Sequence, residues 1–300
     1  MSKYLKKIYD KKKGKTHITY TLLGFKIKTK NPQYIFEKNK QEILLGVKRI
    51  VAAANLHRET FAGFKNKHNG EEVVLIGAGP TLNHYTPMPN KINIGLNRVF
   101  TLSNINFNYL FAIDKMGIEK YYNEFFSYNE KCIKFVGDQN LGIHWQIPET
   151  VIKGENVRRY KTTAIYMPSE FSLDIESEPL GNFNTVSLQA MQFILYTKPK
   201  RIYLVGIDCT QGKHFQGSSP DLKNIRGENP RQLAVNTLKY WQQLKEFISI
   251  YYPDIEIISI NPVGLKGLFK DVYTQSYIEN NKNEFYEKEY SILEQGENYV

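Results

Sequence analysis

The chain has 300 residues, of which 41% are hydrophobic, and a formal net charge of +10. This length fits one large domain with appendages, and no apolar run approaches the roughly 18 residues that span a bilayer. The two cysteines, Cys132 and Cys209, provide neither a disulfide framework nor the spacing of a metal site. We therefore expect a cytoplasmic protein, and the N-terminus lacks the long apolar core of a signal peptide.

The positive charge is concentrated at the N-terminus. Residues 1–70 hold 17 Lys and Arg against 4 Asp and Glu, which gives +13, so the remaining residues sum to −3. The last thirty residues, 271–300, hold 7 acids and 2 lysines, or −5. The basic character thus belongs to one segment, and we expect no nucleic-acid partner. The Lys-rich lead is compatible with an anionic membrane surface as a partner.

The predicted elements alternate after a basic lead. In residues 1–30 an alternating apolar pattern predicts a small hairpin, and apolar residues at spacings of three, four and seven predict a helix over 33–66. Strands are predicted at 73–76, 91–96, 109–113, 132–136, 201–206 and 255–260, and helices at about 185–197 and 230–250. This order indicates an α/β, Rossmann-like fold with a mostly parallel sheet and flanking helices.

These features divide the chain into three parts. Residues 1–70 are a basic N-terminal extension with the hairpin and the helix, and residues 71–270 form a single α/β catalytic domain. Residues 271–300 are an acidic, tyrosine-rich tail, for which a peripheral helix and partial disorder are both open. The paired Arg158 and Arg159 are typical of solvated surface.

A Gly-x-Gly turn follows the first predicted core strand, at Gly77, Gly79, Pro80 and Thr81. The glycines allow a sharp turn and a close approach to a ligand, and peptide N–H groups at such a turn can point at a phosphate. The turn departs from the dinucleotide fingerprint, because the third glycine is missing and Pro80 follows Gly79 directly. It therefore predicts a nucleotide site of another kind.

Short polar side chains also follow other predicted strands, namely Asn97, Asp114 and Asp208. In an open parallel sheet, ligands bind beyond the carboxyl ends of the strands, so these residues are candidate ligand contacts. Each of them, taken alone, is equally typical of a turn or cap. Together with the glycine turn they favour a binding site.

A polar segment with Asn184, Thr185 and Ser187 opens the predicted helix at 185–197. One interpretation is a plain N-cap, because such side chains satisfy free N–H groups. The other is an anion site, since a helix N-terminus attracts phosphates and carboxylates. The two interpretations are compatible with each other.

His214 lies just after the strand that Asp208 ends, which makes it the best-placed histidine to act as a general base. The alternative is an ordinary surface histidine. Lys213 beside it could instead neutralise a leaving phosphate. The Gly-, Ser-, Pro- and Asn-rich stretch 216–230 is typical either of a lid that closes over a ligand or of a solvated loop.

These motifs in combination resemble the bacterial family 42 sialyltransferases and the related flagellin-glycosylation (motility accessory factor) proteins and archaeal pterin pyrophosphokinases. The resemblance covers residues 73 to about 265 and rests on Ile76–Leu82, Leu96–Arg98, Ala112–Asp114, Asn184–Ser187 and Ile202–Asp208. It implies a nucleotide-sugar site, with a CMP-activated nonulosonic acid as donor.

The resemblance also assigns roles. It implies that the turn at Gly77–Thr81 and Asn97 contact the CMP, and that Asn184–Ser187 correspond to the Thr-Ser-Gly segment of the sialyltransferases. At the position of their catalytic histidine this chain reads Gly227–Arg231, with no histidine. His214 instead lies where the flagellin-glycosylation proteins have theirs.

The leading hypothesis is a sialyltransferase-like glycosyltransferase that moves a sugar onto a bacterial surface glycan or glycoprotein, as in lipooligosaccharide or capsule biosynthesis. It would work in the cytoplasm, peripherally at the inner membrane, with a glycan acceptor and no metal, because no Asp-x-Asp motif occurs. One alternative is a pyrophosphokinase-like enzyme that uses ATP and Mg²⁺. Another is a non-catalytic nucleotide-binding module that recruits partners. Self-association is open.

Overall fold

The computed structural model describes residues 9–22, 25–138, 146–163, 170–210, 213–215, 217–218, 230–286 and 289–293. It divides into two units, Met1–Ala52 and Ala53–Val300. The three-part division at residues 70 and 270 stays a prediction. Within the described ranges no helix combines the length and the apolar character that crossing a membrane requires.

The first unit contains a small antiparallel sheet of three strands, β1 (Tyr9–Lys13), β2 (His17–Leu22) and β3 (Phe25–Lys30), with β2 in the middle. The hairpin of β2 and β3 agrees with the alternating sequence pattern. Helix α1 (Pro32–Phe61) follows in the chain. At its start the side-chain oxygen of Asn31 accepts a hydrogen bond from the backbone N–H of Gln33 at 3.1 Å, as a capping residue does.

The second unit is built on a parallel sheet of eight strands, which confirms the α/β, Rossmann-like fold class. The strands are β4 (Glu72–Ile76), β5 (Ile92–Leu96), β6 (Tyr109–Ala112), β7 (Ile133–Asp138), β8 (Val157–Lys161), β9 (Arg201–Val205), β12 (Glu256–Ile260) and β13 (Lys270–Val272). Between β9 and β12 lie the two short strands β10 (Lys213–His214) and β11 (Gly217–Ser218), which pair with each other. The order across the large sheet is β13-β12-β9-β4-β5-β6-β7-β8.

Helices cover this sheet, and both of its faces are apolar. The helices are α2 (Lys115–Ile118), α3 (Tyr122–Ser127), α4 (Val186–Thr197), α5 (Pro230–Tyr251), α6 (Gln275–Asn280) and α7 (Lys282–Phe285). One face packs against Phe61, Phe193 of α4 and Trp241 of α5. The other face packs against residues such as Phe100 and Phe125. Strands that are buried on both faces show continuous apolar runs in the sequence, as residues 73–76 do.

Helix α4 is buried along its whole length and runs antiparallel to the strands. Its last turn lies at the amino edge of the sheet, because the N–H of His68 donates to the carbonyl of Thr197 at 3.0 Å just before β4 begins. The segment before α4 lies at the carboxyl edge, because Leu180 bridges to Thr162 directly after β8. The fold therefore presents the start of α4 at the edge where ligands bind in such sheets.

Two strands of the sheet were not predicted. β8 has the sequence Val-Arg-Arg-Tyr-Lys, and only Tyr160 of it is buried, so it lacks the apolar run of its neighbours. Arg158 and Arg159, expected on solvated surface, lie in this edge strand, where Arg159 pairs with Glu149 at 2.7 Å. β13 has three residues, Lys270–Val272, which is too short for a periodic signal.

Candidate functional site

The order of the strands reverses beside β4. From β4 the chain steps outward through β5, β6, β7 and β8, and then returns to place β9 on the other side of β4. The carboxyl ends of β4 and β9 therefore lie side by side at the point where the strand order reverses. Such a switch point is the general ligand-binding position of open α/β sheets.

The glycine turn after β4 packs closely against the turn after β9. The N–H of Gly77 donates to the carbonyl of Val205, and the N–H of Gly79 donates to that of Gly206, both at 2.8 Å. A Cβ at position 77 would lie 2.6 Å from the Gly206 oxygen, and one at position 79 would lie 2.7 Å from it. Because these distances are too short for any side chain, both positions require glycine.

Asp208 and Thr81 join the two turns by side-chain contacts. The backbone N–H of Thr81 donates to one carboxylate oxygen of Asp208 at 3.0 Å, and the Thr81 hydroxyl donates to the other oxygen. Asp208 is only 5% exposed, and this burial raises the pKa of its carboxyl group. Since both oxygens face Thr81, this predicted binding residue holds the glycine turn in place.

Asn97 and Asp114 meet around Gly117. Asn97 adopts a left-handed backbone with φ of +53°, directly after β5. Its side-chain oxygen is buried and has no hydrogen-bond partner among the described residues, and a Cβ on Gly117 would lie 2.5 Å from it. Asp114 caps α2, because its carboxylate accepts the N–H of Gly117 at 3.1 Å. An orphaned oxygen beside a tight turn has the character of a ligand-binding group.

Tyr122, at the start of α3, is a residue that the sequence analysis missed. Its hydroxyl is buried and has no hydrogen-bond partner within the described ranges. Burial, with smaller effects of Glu119 and Asp114, raises its pKa to about 12. Only its position eight residues after the strand-end Asp114 could have indicated it, and tyrosine is too common in this chain for that to be a signal.

The polar segment before α4 forms the helix cap that its residue types predict. The Thr185 hydroxyl accepts the backbone N–H of Ser187 at 3.4 Å and lies 2.8 Å from the Ser187 hydroxyl. Asn184 has φ of +53°, and the preceding Phe183 has φ of +48°. Two consecutive left-handed residues are costly for side chains other than glycine, and such strain is found at functional sites. The cap is observed, and an anion there stays a prediction.

The segment that carries His214 lies against the glycine turn. The backbone N–H of Phe215 donates to the carbonyl of Ala78 at 3.0 Å, and the Phe215 ring is buried. This contact places the end of β10 beside the glycine turn. The side chain of His214 and the predicted lid residues 219–229 lie outside the described residues.

A large cavity lies at the opposite, amino edge of the sheet. It measures about 1280 Å³, and Glu72, Lys91, Lys200, Arg201 and Lys270 line it together with apolar side chains. Each of these cations has an acidic partner, since Glu72 pairs with Lys91, with Lys200 and with Arg201, and Glu256 pairs with Lys270. None of the predicted site residues is among those that line this cavity.

The chain matches no protein-family model and no curated protein. Its fold is similar to that of the MAf glycosyltransferase from Magnetospirillum magneticum AMB-1, with 14% identity and a TM-score of 0.40, over 75% of this chain and 38% of that one. It is also similar to the sialyltransferase CstII from Campylobacter jejuni, in complex with the substrate analogue CMP-3FNeuAc, with 15% identity and a TM-score of 0.36, over 63% of this chain and 80% of that one.

Proposed function

We propose that the protein is a glycosyltransferase that transfers a sialic-acid-like nonulosonic acid from a CMP-activated donor to a surface glycan or glycoprotein. The observation that carries the proposal is the buried oxygen of Asn97, which has no hydrogen-bond partner among the described residues and follows β5, the neighbour of β4. A buried acceptor without a partner is costly, about 1–3 kcal/mol, and a ligand donor such as a ribose hydroxyl or a base amino group would offset that cost.

The reaction breaks the bond between the anomeric carbon and the phosphate oxygen, and CMP leaves with that electron pair. The sugar passes through an oxocarbenium-like transition state, and the acceptor hydroxyl oxygen forms the new bond while its proton goes to a base. The protein must therefore hold the cytidine, stabilise the departing phosphate and accept one proton.

In this proposal the residues divide the work. The turn Gly77–Thr81, Asn97 and Asp114 hold the nucleotide, and the start of α4 at Asn184, Thr185 and Ser187 receives negative charge through its free N–H groups and hydroxyls. His214 accepts the proton. Asp208 acts as a positioning residue through Thr81, because both of its oxygens are engaged there. In this proposal no metal is required, since the phosphate charge is met by the free peptide N–H groups at the start of α4.

Nucleotide binding tests the proposal directly. We expect CMP and CDP to raise the melting temperature without added metal, and the Asn97→Ala variant to lose at least about tenfold in CMP affinity, as expected for a lost hydrogen bond to a buried group. Stabilisation by ATP with Mg²⁺, but not by CMP, would favour the pyrophosphokinase alternative. If no nucleotide shifts the melting temperature and Asn97→Ala changes nothing, both enzyme hypotheses fail. The non-catalytic module that recruits partners would then be the remaining hypothesis.

The proton acceptor is tested separately. His214→Ala should abolish transfer from a CMP-sugar and leave CMP binding intact, because the side chain acts on the acceptor and not on the nucleotide. Undiminished turnover in that variant would remove His214 from the mechanism. A panel of CMP-, UDP- and GDP-sugars in a hydrolysis assay would then identify the donor.

The location of the acceptor belongs to the same proposal. In this proposal the enzyme works in the cytoplasm, peripherally at the inner membrane. We infer that the Lys-rich N-terminal segment, with +13 over residues 1–70, associates with anionic lipid headgroups there. Vesicle binding that weakens with added salt would support this association.

A further inference from the structure

The hairpin of β2 and β3 exposes large apolar side chains at one end. Phe25 is 78% exposed, Ile27 is 60% exposed and Leu22 is 50% exposed. Leu22 and Phe25 lie opposite each other in the strand register, immediately on either side of the connection between the strands. Single exposed apolar residues need no explanation, but a cluster of them at a hairpin tip indicates a contact surface.

The strand register separates the apolar residues from most of the lysines. Leu22, Phe25 and Ile27 share one face with Tyr20, which pairs with Ile27. Lys26, Lys28 and Lys30 of β3 project from the other face and are exposed. The rim of the apolar face is basic as well, since the ammonium of Lys11 lies 5.4 Å from the centre of the Tyr20 ring. The result is an apolar tip with a basic collar.

We propose that this hairpin tip inserts into the interfacial region of an anionic bilayer, with Phe25, Ile27 and Leu22 below the headgroups and the collar lysines against them. The inference rests on the membrane association proposed above and names the surface responsible for it. The positive charge of the hairpin region favours an anionic bilayer as the partner, since residues 9–30 contain seven lysines and one aspartate. A second copy of this chain on the same face would bring like charges together, whereas anionic lipids neutralise them.

The dimensions of the tip suit an interface. Phe25 and Ile27 are two residues apart on a strand, a rise of roughly 7 Å. Interfacial elements bury their apolar face about 5–10 Å deep at the headgroup boundary. The lysines that alternate with them reach the phosphate level at that depth, because long basic side chains extend toward polar surroundings. A strand edge rich in lysine also disfavours pairing with another strand.

Vesicle co-sedimentation of the full chain tests the tip. The anionic vesicles contain phosphatidylcholine with about 30% phosphatidylglycerol. Vesicles of pure phosphatidylcholine are the uncharged comparison. The double variant Phe25→Ser/Ile27→Ser should bind the anionic vesicles at least about tenfold more weakly, from the apolar area no longer buried. The double variant Lys26→Glu/Lys28→Glu should lose about tenfold or more through its reversed charges.

Matched substitutions on α5 serve as controls. Ile250→Ser removes an apolar residue that is 68% exposed, and Lys245→Glu reverses an exposed lysine, and both should leave vesicle binding unchanged. Hydrolysis of a soluble CMP-sugar should be equal in all variants, which separates a failure of this inference from a failure of the proposed reaction. Unchanged vesicle binding by Phe25→Ser/Ile27→Ser would overturn the proposal. So would conversion of an oligomer to a monomer by that variant without loss of vesicle binding, since the tip would then be a protein interface.

Discussion

The two edges of the central sheet satisfy their polar groups in opposite ways. At the amino edge the carboxylate of Glu72 pairs with Lys91 and lies 2.8 Å from Arg201, which in turn reaches Glu256 at 2.5 Å. At the carboxyl edge the buried oxygens of Asn97 and Tyr122 have no partner among the described residues. The first arrangement is complete without a ligand, and the second is not. Local rules are typically broken at functional sites, so this difference supports the proposal that the carboxyl edge is the one that binds the nucleotide.

The largest effect is expected from Gly79→Ala. The new methyl group would collide with the Asp208 carboxylate and lie 2.7 Å from the Gly206 oxygen, so the two turns must separate. We expect CMP affinity to fall by about 100-fold or more, because in the proposed function the turn holds the nucleotide and the substitution displaces it, and the free energy of unfolding to fall by about 2 kcal/mol. Calorimetric titration with CMP and urea denaturation measure the two quantities.

Gly63→Ala provides the matched control for this prediction. A Cβ at Gly63 meets no atom within 4 Å. This variant should therefore keep both its CMP affinity and its stability. If Gly79→Ala behaved like Gly63→Ala, the close packing of the two turns would have no bearing on nucleotide binding.

Glu72→Gln tests the amino edge. Burial acts to raise the pKa of Glu72, but the hydrogen bond and charge of Lys91, with Arg201 and Lys200, outweigh burial and hold that pKa below its usual value. Removing the charge from this nearly buried group takes an ionic partner from Lys91, Lys200 and Arg201, of which Arg201 keeps Glu256, and should lower the free energy of unfolding by about 2 kcal/mol. CMP affinity should stay constant, because the substitution lies at the other edge. A parallel loss of affinity would mean that the edges are not independent.

At the carboxyl edge, Tyr122→Phe should have the opposite effect: it should weaken donor binding without lowering stability. Removing a buried hydroxyl that lacks a partner should leave the ligand-free protein equally stable or more stable by up to about 1 kcal/mol. If the hydroxyl binds the donor, the KM for the CMP-sugar should rise about tenfold. Steady-state hydrolysis and thermal melting give both values, and Tyr121→Phe is the neighbouring control. A destabilised Tyr122→Phe variant with normal KM would make Tyr122 a structural residue only.

The sequence patterns predicted the elements that hydrophobic periodicity encodes. They missed the contacts that arise only when distant parts of the chain pack together. The apolar runs at 73–76 and 201–206 predict buried strands correctly, and strands with this topology meet ligands at their carboxyl ends, so Asn97 could be singled out. The edge strand β8 has neither a continuous apolar run nor an alternation of apolar and polar residues, so it carries no such signal. The contact of Asp208 with Thr81 joins positions 127 residues apart, and no local pattern specifies it. The unpartnered hydroxyl of Tyr122 likewise depends on how α3 packs.

The smallest expected effect is a difference in pH dependence between two carboxyl groups, one at each edge. The pKa of Glu72 is lowered on folding, so its contribution to stability is present above its unfolded pKa of about 4.5 and is lost as the pH falls through the folded value. The pKa of Asp208 is raised by burial, so its contribution is present below its unfolded pKa of about 3.8 and is lost as the pH rises through the folded value.

Urea unfolding at pH 4 and pH 7 would compare these groups through Glu72→Gln and Asp208→Asn. The stability advantage of the parent chain over Glu72→Gln should be larger at pH 7, whereas its advantage over Asp208→Asn should be larger at pH 4, each by about 1 kcal/mol or less. The two signs follow from the same physical difference: Glu72 is surrounded by cations, and Asp208 is buried against a hydroxyl and an amide. Equal signs would mean that Asp208 is stabilised as a charge, and it would then be a candidate partner for a cationic group of the ligand.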